Sequence, residues 1–440
     1  MAALRRINQD DLRNHNLSVV IDTLLRTTEP LSRAELAKRT GLTKATMSLL
    51  VSMLVDDGVV REGEPSVQSS YGRPSTPLLI AGGRYCGIGL QVNTDGYGVI
   101  VLDLDGTVIS ERWVDTDMSA PDADEVFAEL DALAMEQEAL LAERGYTVAG
   151  AGLALPGLVT GDMRLLMARN LGWEQLDLTR FDVMRRLDVT AGNEANMAAL
   201  AQIPGYAMRR DGDGIVGPSE SFIYLSTDVG IGGAVVRNGH VEIGDHGFGG
   251  ELGHTSVELR GPVCRCGRRG CLETYAGRRA MVESAGIASG SAAARRESVD
   301  ELIDRWCAGD VRVAAVVNKA IEAMVSSIAS AINVCDIETV VLGGVWSQFG
   351  SEIAVQMQSA LQRQVLGYPE VRAKVLMADV TSRPALVGAA AMGLRHFVDD
   401  PMRFVSACDT VARGVPPELR RSRGACTAGF VRGVRYRAQP

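Results

Sequence analysis

Glu251-Leu252-Gly253-His254 is separated by nine residues from the run CRCGRRGCLE at 264–273, and these two segments carry the strongest indication of the fold. Three cysteines and one histidine in this spacing have the composition of a structural zinc site, in which four protein ligands complete the tetrahedron. Because such a site leaves no position for water, we expect a structural zinc ion rather than a catalytic one. The expected ligands are His254, Cys264, Cys266 and Cys271. The alternative is a set of reduced surface cysteines without a metal.

The composition is that of an ordinary globular protein. The chain has 440 residues, of which 46% are hydrophobic and 22% charged, and this length predicts more than one domain. No run of about 18 apolar residues lacks charges, and the N-terminus lacks the apolar stretch of a signal peptide, so neither a membrane span nor secretion is predicted. We therefore expect a cytoplasmic protein, in which the eight cysteines do not form a disulfide framework.

The net charge of −9 is unevenly distributed along the chain. Residues 1–80 carry +1, residues 81–400 carry −16 and residues 401–440 carry +6. An acidic body repels nucleic-acid phosphates, so any contact with DNA is expected from the N-terminal residues, through local rather than broad positive charge. The arginine-rich C-terminal residues are a second candidate for non-specific DNA contact.

Residues 1–80 have the pattern of a winged helix-turn-helix. Helix periodicity, a capping box, a turn glycine and a loop rich in Ser, Gly and Pro follow one another in the order that this module requires. In chain order, the signals are an amphipathic helix at 16–28, a capping box at Ser32 and Glu35, a helix end at Thr40, a turn at Gly41, a cap at Thr43, a strand from Val59 and a loop at 64–77.

The third helix of this module suits the major groove of DNA, where the N-terminal residues of a recognition helix reach base edges. We expect Lys44, Thr46 and Ser48 on its outward face to contact DNA, whereas Leu49 is unsuited to phosphate contact. Arg73 on the wing is expected in the narrow, electronegative minor groove. The alternative is a small helical interaction domain without a role in DNA binding.

Strands alternate with helices from about residue 82 onward, which indicates an α/β body. The predicted strands are 85–91, 98–103, 107–115, 148–155, 222–226, 233–237 and 339–343, and the predicted long helices are 122–144, 312–334 and 385–396. Residues 397–440 lack clear periodicity, so we expect a mostly disordered, arginine-rich tail.

Several motifs together resemble the ROK family of repressors, open reading frames and sugar kinases. The pattern E-x-G-H followed by C-x-C-G-x-x-G-C-x-E is specific, and three further segments agree with it: LALPGLV at 153–159, NLGW at 170–173 and NEAN at 193–196. The resemblance covers about residues 16–396. The N-terminal winged helix is typical of the family's repressors rather than of its shorter kinases.

The resemblance implies a winged helix-turn-helix in residues 1–80, followed in residues 81–396 by a two-lobed, actin-like ATPase fold of the ribonuclease H-like type. The small lobe would comprise about residues 81–190 plus the helix 385–396, and the large lobe about residues 191–384. A sugar is expected in the cleft between the lobes, and zinc is expected to anchor the loop that carries its ligands. The implied sugar ligands are Asn170, Asn193, Glu194, Glu251, His254 and Glu273.

Carboxylates and amides are suited to sugar hydroxyls, because hydroxyls both donate and accept hydrogen bonds. The alternative for each of these side chains taken singly is a surface position on a loop.

Three departures from the kinase pattern argue against phosphoryl transfer, which needs phosphate-binding backbone, a metal and a base. The kinases' D-x-G-G-T loop corresponds here to residues 87–94, where its Asp falls on Gly89 and its Gly-Gly pair is absent. Asp228 puts a negative charge in the second phosphate segment. Glu194, at the position of the catalytic Asp, is one methylene longer, which displaces the proton acceptor by roughly 1 Å. No catalytic residue is therefore expected.

We accordingly expect a sugar-responsive, DNA-binding transcriptional regulator, a repressor that a sugar or sugar derivative releases from its operator. Such a protein binds palindromic DNA as a homodimer or a dimer of dimers. The alternatives are an ATP-dependent sugar kinase that retains a regulatory domain, an activator, and a regulator whose partner is another protein.

Overall fold

The N-terminal unit is a winged helix in this computed structural model, which describes residues 8–27, 29–64, 76–118, 121–203, 205, 216–217, 220–378 and 383–405. Its elements are α1 (Gln9–Leu25), β1 (Leu31–Ser32), α2 (Arg33–Thr40), α3 (Lys44–Asp56), β2 (Val60–Glu62) and β3 (Pro77–Ile80). The strands form one antiparallel sheet in the order β1-β3-β2. The tip of the predicted wing, residues 65–75, lies outside the described residues.

The predicted caps of α2 and α3 are confirmed. Ser32 and Glu35 each accept the other's backbone N–H at the start of α2, and the hydroxyl oxygen of Thr43 caps α3. Helix α1 begins well before its predicted start, because Asn8 and Asp11 form a second capping box ahead of the apolar residues. Apolar periodicity marks where a helix is buried, whereas the cap marks where it begins.

Two five-stranded sheets of the same topology form the body. In each sheet, three antiparallel strands are extended by two parallel strands. The first sheet has the order β11-β7-β4-β5-β6 and contains β4 (Tyr85–Asn93), β5 (Gly96–Asp103), β6 (Val108–Asp115), β7 (Thr147–Leu155) and β11 (Val189–Asn193). The second has the order β14-β13-β12-β15-β16 and contains β12 (Phe222–Thr227), β13 (Ile231–Arg237), β14 (His240–Val241), β15 (Thr339–Gly344) and β16 (Lys374–Met377). The expected α/β class with two lobes is confirmed.

A small third sheet and nine α-helices are further parts of the described body, together with four short 3-10 helices. The sheet contains β8 (Leu158–Val159), β9 (Arg164–Ala168) and β10 (Trp173–Asp177). The helices are α4 (Ala123–Glu143), α5 (Asp182–Arg186), α6 (Glu194–Leu200), α7 (Glu273–Ala276), α8 (Arg278–Ala285), α9 (Arg296–Cys307), α10 (Val311–Cys335), α11 (Ser351–Leu361) and α12 (Pro384–Asp399).

Helix α10 is the one helix of the described residues that is long and apolar enough to cross a membrane by length and composition. Most of it is buried in the core of the second lobe, where Val317, Ile321 and Ile328 pack in the same cluster as Ile223 and Val340 of the second sheet. The length and hydropathy of α10 are those of a core helix.

Helix α12 is the central helix of the molecule. It packs on β4 and β7 of the first sheet and on α6. The contact with β4 is so close that a Cβ at Gly89 would overlap the carbonyl oxygen of Leu386, so only glycine allows it.

The predicted start of a disordered tail at residue 397 is wrong for residues 397–405. Helix α12 continues to Asp399, and the chain then folds back on the first lobe. The ring of Phe397 packs at a tilt against the ring of Tyr85, with centroids 4.5 Å apart, and the ring centroid of Phe404 lies 6.2 Å from that of Tyr85. These aromatic contacts hold a segment that is too short for a periodic spacing of apolar residues, so the sequence did not indicate that it is ordered. Residues 406–440 lie outside the described residues.

The winged helix and the body share one hydrophobic cluster. Leu17 of α1 and Leu54 of α3 are buried in the same cluster as Ile100 and Leu102 of β5 and Phe397 of α12. The N-terminal unit is therefore packed onto the body rather than joined to it by a linker alone.

Candidate functional site

A cleft of about 880 Å³ lies between the two sheets of the body. Loop and strand ends from both lobes line it, including the segments after β4, β11 and β12. The structure brings together every side chain that was predicted to bind a sugar. These are Asn170, Asn193, Glu194, Glu251, His254 and Glu273.

The predicted metal ligands form one cluster. His254, Cys264, Cys266 and Cys271 present ligand atoms that all lie within 4.8 Å of one another. The Sγ atoms of Cys266 and Cys271 are 3.6 Å apart, and Sγ of Cys264 lies 3.7 Å from Nδ1 of His254. A disulfide would need about 2 Å, whereas two sulfurs on a tetrahedral zinc lie roughly 3.8 Å apart for Zn–S bonds of about 2.3 Å. The donor set and its spacing therefore suit a tetrahedral metal ion.

Two glycines shape the loop that carries the cysteines. Gly267 and Gly270 have positive φ angles of 91° and 63°, which favour glycine. A Cβ at Gly270 would also overlap the carbonyl oxygen of Glu258. Two isolated antiparallel bridges, Ser256 with Cys271 and Val263 with Arg269, close the segment around the cluster.

His254 joins the metal cluster to the cleft. Its Nδ1 faces the cysteines, while its Nε2 lies 3.8 Å from Oε2 of Glu251. A histidine that ligates a metal through one ring nitrogen commonly presents the other as an N–H to a carboxylate. Glu273 lies beside the cluster as well, with Oε1 at 3.8 Å from Sγ of Cys264 and Oε2 accepting the N–H of Ile231 at 3.3 Å. Two carboxylates of the cleft are thus held next to the metal ligands.

Asn193 is mostly occupied by contacts within the protein. Its Oδ1 accepts the N–H of Ala195 at 2.8 Å and so caps α6, and its Nδ2 donates to the carbonyl oxygen of Gly157 at 2.8 Å. Little hydrogen-bonding capacity is left for a ligand, and the side chain serves mainly as the cap of α6, the helix that begins at Glu194.

Glu194 is held in its protonated form. Burial and the nearby carboxylates of Asp228 and Asp95 raise the pKa of Glu194 to about 8, against a smaller opposing effect of a hydrogen bond with Gln91. The side chain is therefore largely neutral at pH 7 and can donate a hydrogen bond as well as accept one.

An ion-pair cluster that no sequence pattern indicated crosses the cleft. The buried guanidinium of Arg278 lies 3.0 Å from Oδ1 of Asp95 in the first lobe and 3.0 Å from Oδ1 of Asp228 in the second. Arg296 adds a contact to Asp95 at 3.5 Å. The negative charge of Asp228, which was expected to repel phosphate, is therefore compensated. Arg278 and Asp95 are 183 residues apart in sequence, so local patterns could not pair them.

Gly89, the predicted counterpart of the phosphate-loop Asp, faces helix α12 and does not line the cleft. Further along β4, Gln91 and Asn93 line the cleft, and Gln91 forms a hydrogen bond with Glu194. A side chain at Gly89 would overlap helix α12, so the close packing of β4 on this helix accounts for a glycine at that position.

The predicted DNA-contacting residues differ in their surroundings. Lys44 and Ser48 are exposed on the outer face of α3. Thr46 is partly buried, and its hydroxyl lies 2.9 Å from that of Thr43, so it belongs to the helix cap rather than to the open surface. Arg73 lies outside the described residues. Leu49 is exposed on the same helix.

Comparisons with known proteins cover both units. The N-terminal residues 17–64 match the IclR helix-turn-helix domain. The xylose repressor of Bacillus subtilis (strain 168) is 30% identical over 63% of this chain and 69% of its own, and the transcriptional dual regulator NagC of Escherichia coli (strain K12) is 24% identical over 90% and 96%. A crystal structure of a ROK family transcriptional regulator, a homolog of the E. coli MLC protein, has the same fold with a TM-score of 0.70, at 23% identity over 90% of this chain and 99% of that one. The ROK family profile matches residues 88–396, and the chain therefore belongs to the ROK family.

Proposed function

We propose that this protein is a sugar-responsive, DNA-binding transcriptional regulator, a repressor that releases its operator when a sugar or sugar derivative binds in the cleft. The proposal rests on the hydrophobic cluster that the winged helix shares with the body. In this cluster the winged helix packs on α12, and the first residues of α12 line the cleft. A change at the cleft can therefore reach the DNA-binding unit through one helix. The names of the xylose repressor and the NagC regulator support the same function.

The cleft suits a polyhydroxylated ligand. Asn170 can donate and accept, Glu251 accepts, and a protonated Glu194 can donate, which together match the mixed character of sugar hydroxyls. A site of this kind rejects ligands that lack a hydroxyl, because its polar groups would then be left unpaired.

The alternative function, an ATP-dependent sugar kinase, is less well supported. A kinase base must be ionised to accept the proton of the sugar hydroxyl, whereas a pKa of about 8 keeps Glu194 largely protonated at pH 7. Transferred phosphate also needs cations that are free to bind it, and Arg278 is already paired with Asp95 and Asp228. We therefore assign no catalytic residue.

We infer that the metal of the Cys3His cluster is zinc and that its role is structural. Three thiolates and one imidazole complete a tetrahedron, so zinc bound there would have no open position for substrate or water. Held by His254 and Cys264, the ion would fix the loop from which Glu251 and Glu273 enter the cleft.

From this proposed function we infer two partners, operator DNA and a second copy of the chain. A repressor of this type acts as a dimer, or a dimer of dimers, because a palindromic operator requires two-fold symmetry in the protein. Its site of action would be the cytoplasm, where the DNA is.

The end of α1 is in contact with both lobes. Arg395 of α12 forms an ion pair with Asp22 of α1, and Arg26 donates to the carbonyl oxygen of Gly239 in the second lobe at 3.4 Å. Asp22 also pairs with Arg26 at 3.0 Å. A ligand that moves one lobe against the other would therefore shift α1 and the DNA-binding unit, provided that it binds the two arrangements with different affinity.

Arg395→Ala should uncouple sugar binding from DNA release. Couplings between sites are typically worth 5- to 150-fold in affinity, and we expect the ratio of DNA affinities without and with sugar to fall by at least about fivefold in this variant. The ratio is measured by fluorescence anisotropy of labelled operator. Arg144→Ala, which removes an exposed arginine at the end of α4, is the matched control. An unchanged ratio in Arg395→Ala would exclude this route.

Two assays on the purified full-length protein test the proposed function against its alternative. The protein should enrich a palindromic sequence from random duplex DNA and lose affinity steeply as salt is raised. With Mg²⁺-ATP and a panel of hexoses and xylose, it should release no more ADP than without sugar. Failure to enrich any DNA sequence, or sugar-dependent turnover near the usual enzymatic range of about one per second or more, would contradict the proposal.

A further inference from the structure

The outer face of α3 carries few of the side chains that commonly form bidentate contacts with bases in the major groove. The helix reads KATMSLLVSMLVD and contains no Arg, Asn, Gln or Glu. Its exposed face carries the polar Lys44 and Ser48 and two apolar residues, Ala45 and Leu49, which lie one turn apart. Leu49 is 58% exposed.

The fold of the winged helix does not need Leu49. The inward face of α3 is formed by Met47, Leu50, Val51 and Leu54, each at most 2% exposed. Leu49 lies outside this core, so its side chain is free to contact a ligand that approaches the recognition helix.

The major groove offers one apolar group among the base edges, the C5-methyl of thymine. Guanine is usually bound by Arg or Lys and adenine by Asn or Gln, and of these α3 carries only Lys44. We propose that Leu49, together with Ala45, recognises the C5-methyl group of a thymine in the operator half-site. This inference rests on the proposed function and specifies how that function selects its DNA.

The test replaces each thymine of the enriched half-site, one at a time, by uracil, which lacks only the C5-methyl group. The full-length protein, Leu49→Ala and Leu12→Ala are compared by fluorescence anisotropy on every duplex. Leu12 is a leucine of α1 with 53% exposure, so Leu12→Ala is the matched control for loss of an exposed leucine in the same unit.

We expect at least one uracil substitution to weaken binding of the unaltered protein by about fourfold, the factor that burial of one methyl-sized group gives. Leu49→Ala should bind the thymine and uracil duplexes equally at that position, whereas Leu12→Ala should keep the fourfold difference. Equal binding of all duplexes by the unaltered protein overturns the inference, as does an undiminished methyl effect in Leu49→Ala. A change of oligomeric state in Leu49→Ala at unchanged DNA affinity would assign the leucine to protein contact instead. If no sequence is enriched at all, the proposed function itself fails.

Discussion

Cys271→Ser should remove the metal from the protein and lower its thermal stability. Cys271 is fully buried, and its sulfur lies 3.6 Å from that of Cys266. A serine hydroxyl stays protonated at neutral pH, whereas a metal-bound cysteine is a thiolate, so the substitution leaves three ligands for the ion. Zinc binding is folding free energy in sites of this kind. We expect Tm to fall by roughly 10 °C, because each kcal/mol of lost folding free energy lowers Tm by about 2–4 °C in a domain of moderate size.

Metal content by inductively coupled plasma mass spectrometry and thermal unfolding are the two measurements. The unaltered protein should carry about one zinc ion per chain, and Cys271→Ser close to none. Cys307→Ser is the matched control, because Cys307 is an exposed cysteine at the end of α9 and not a member of the cluster. A stably folded, unaltered protein without metal, or Cys271→Ser with full metal content, would refute the zinc assignment.

Glu251→Gln should weaken sugar binding by about 10- to 100-fold and leave DNA binding without sugar unchanged. A hydrogen bond to a charged group is worth about 1.5–3 kcal/mol, and each 1.4 kcal/mol is a factor of ten in affinity. Glutamine keeps the size of the side chain but replaces an acceptor oxygen by a donor and removes the charge that faces His254.

Sugar affinity is followed by isothermal titration calorimetry, and zinc content is measured alongside to verify that the cluster is intact. Glu242→Gln is the matched control, since Glu242 is exposed and does not line the cleft. If Glu251→Gln bound sugar as tightly as Glu242→Gln, with its zinc retained, Glu251 would not be a sugar ligand.

Local signals predicted the parts of the fold that local interactions determine. Ser32 and Thr43 cap their helices where the sequence indicated, because a cap is formed within four residues of the chain. The spacing of His254 and the three cysteines likewise predicted a cluster that the structure assembles within one segment. The six polar residues of the cleft were identified through a family resemblance, and all of them line it.

Interactions between distant residues were not predictable from such signals. Arg278 pairs with Asp95 across 183 residues, and Phe404 reaches Tyr85 only because α12 brings the chain back to the first lobe. The close packing of Gly89 on α12 is a further contact between segments far apart in sequence that no local signal indicated.

Release of operator DNA by a sugar is the most direct test of the proposed function. A thermal-shift screen first identifies a sugar that stabilises the protein, since ligand binding raises apparent stability. Labelled operator is then titrated with protein at fixed salt, with and without that sugar. We predict that the sugar weakens DNA binding by about 5- to 150-fold, the usual range for coupled sites, and that Glu251→Gln needs a sugar concentration about 10- to 100-fold higher for the same effect. A sugar that stabilises the protein but leaves its affinity for operator DNA unchanged would contradict the account.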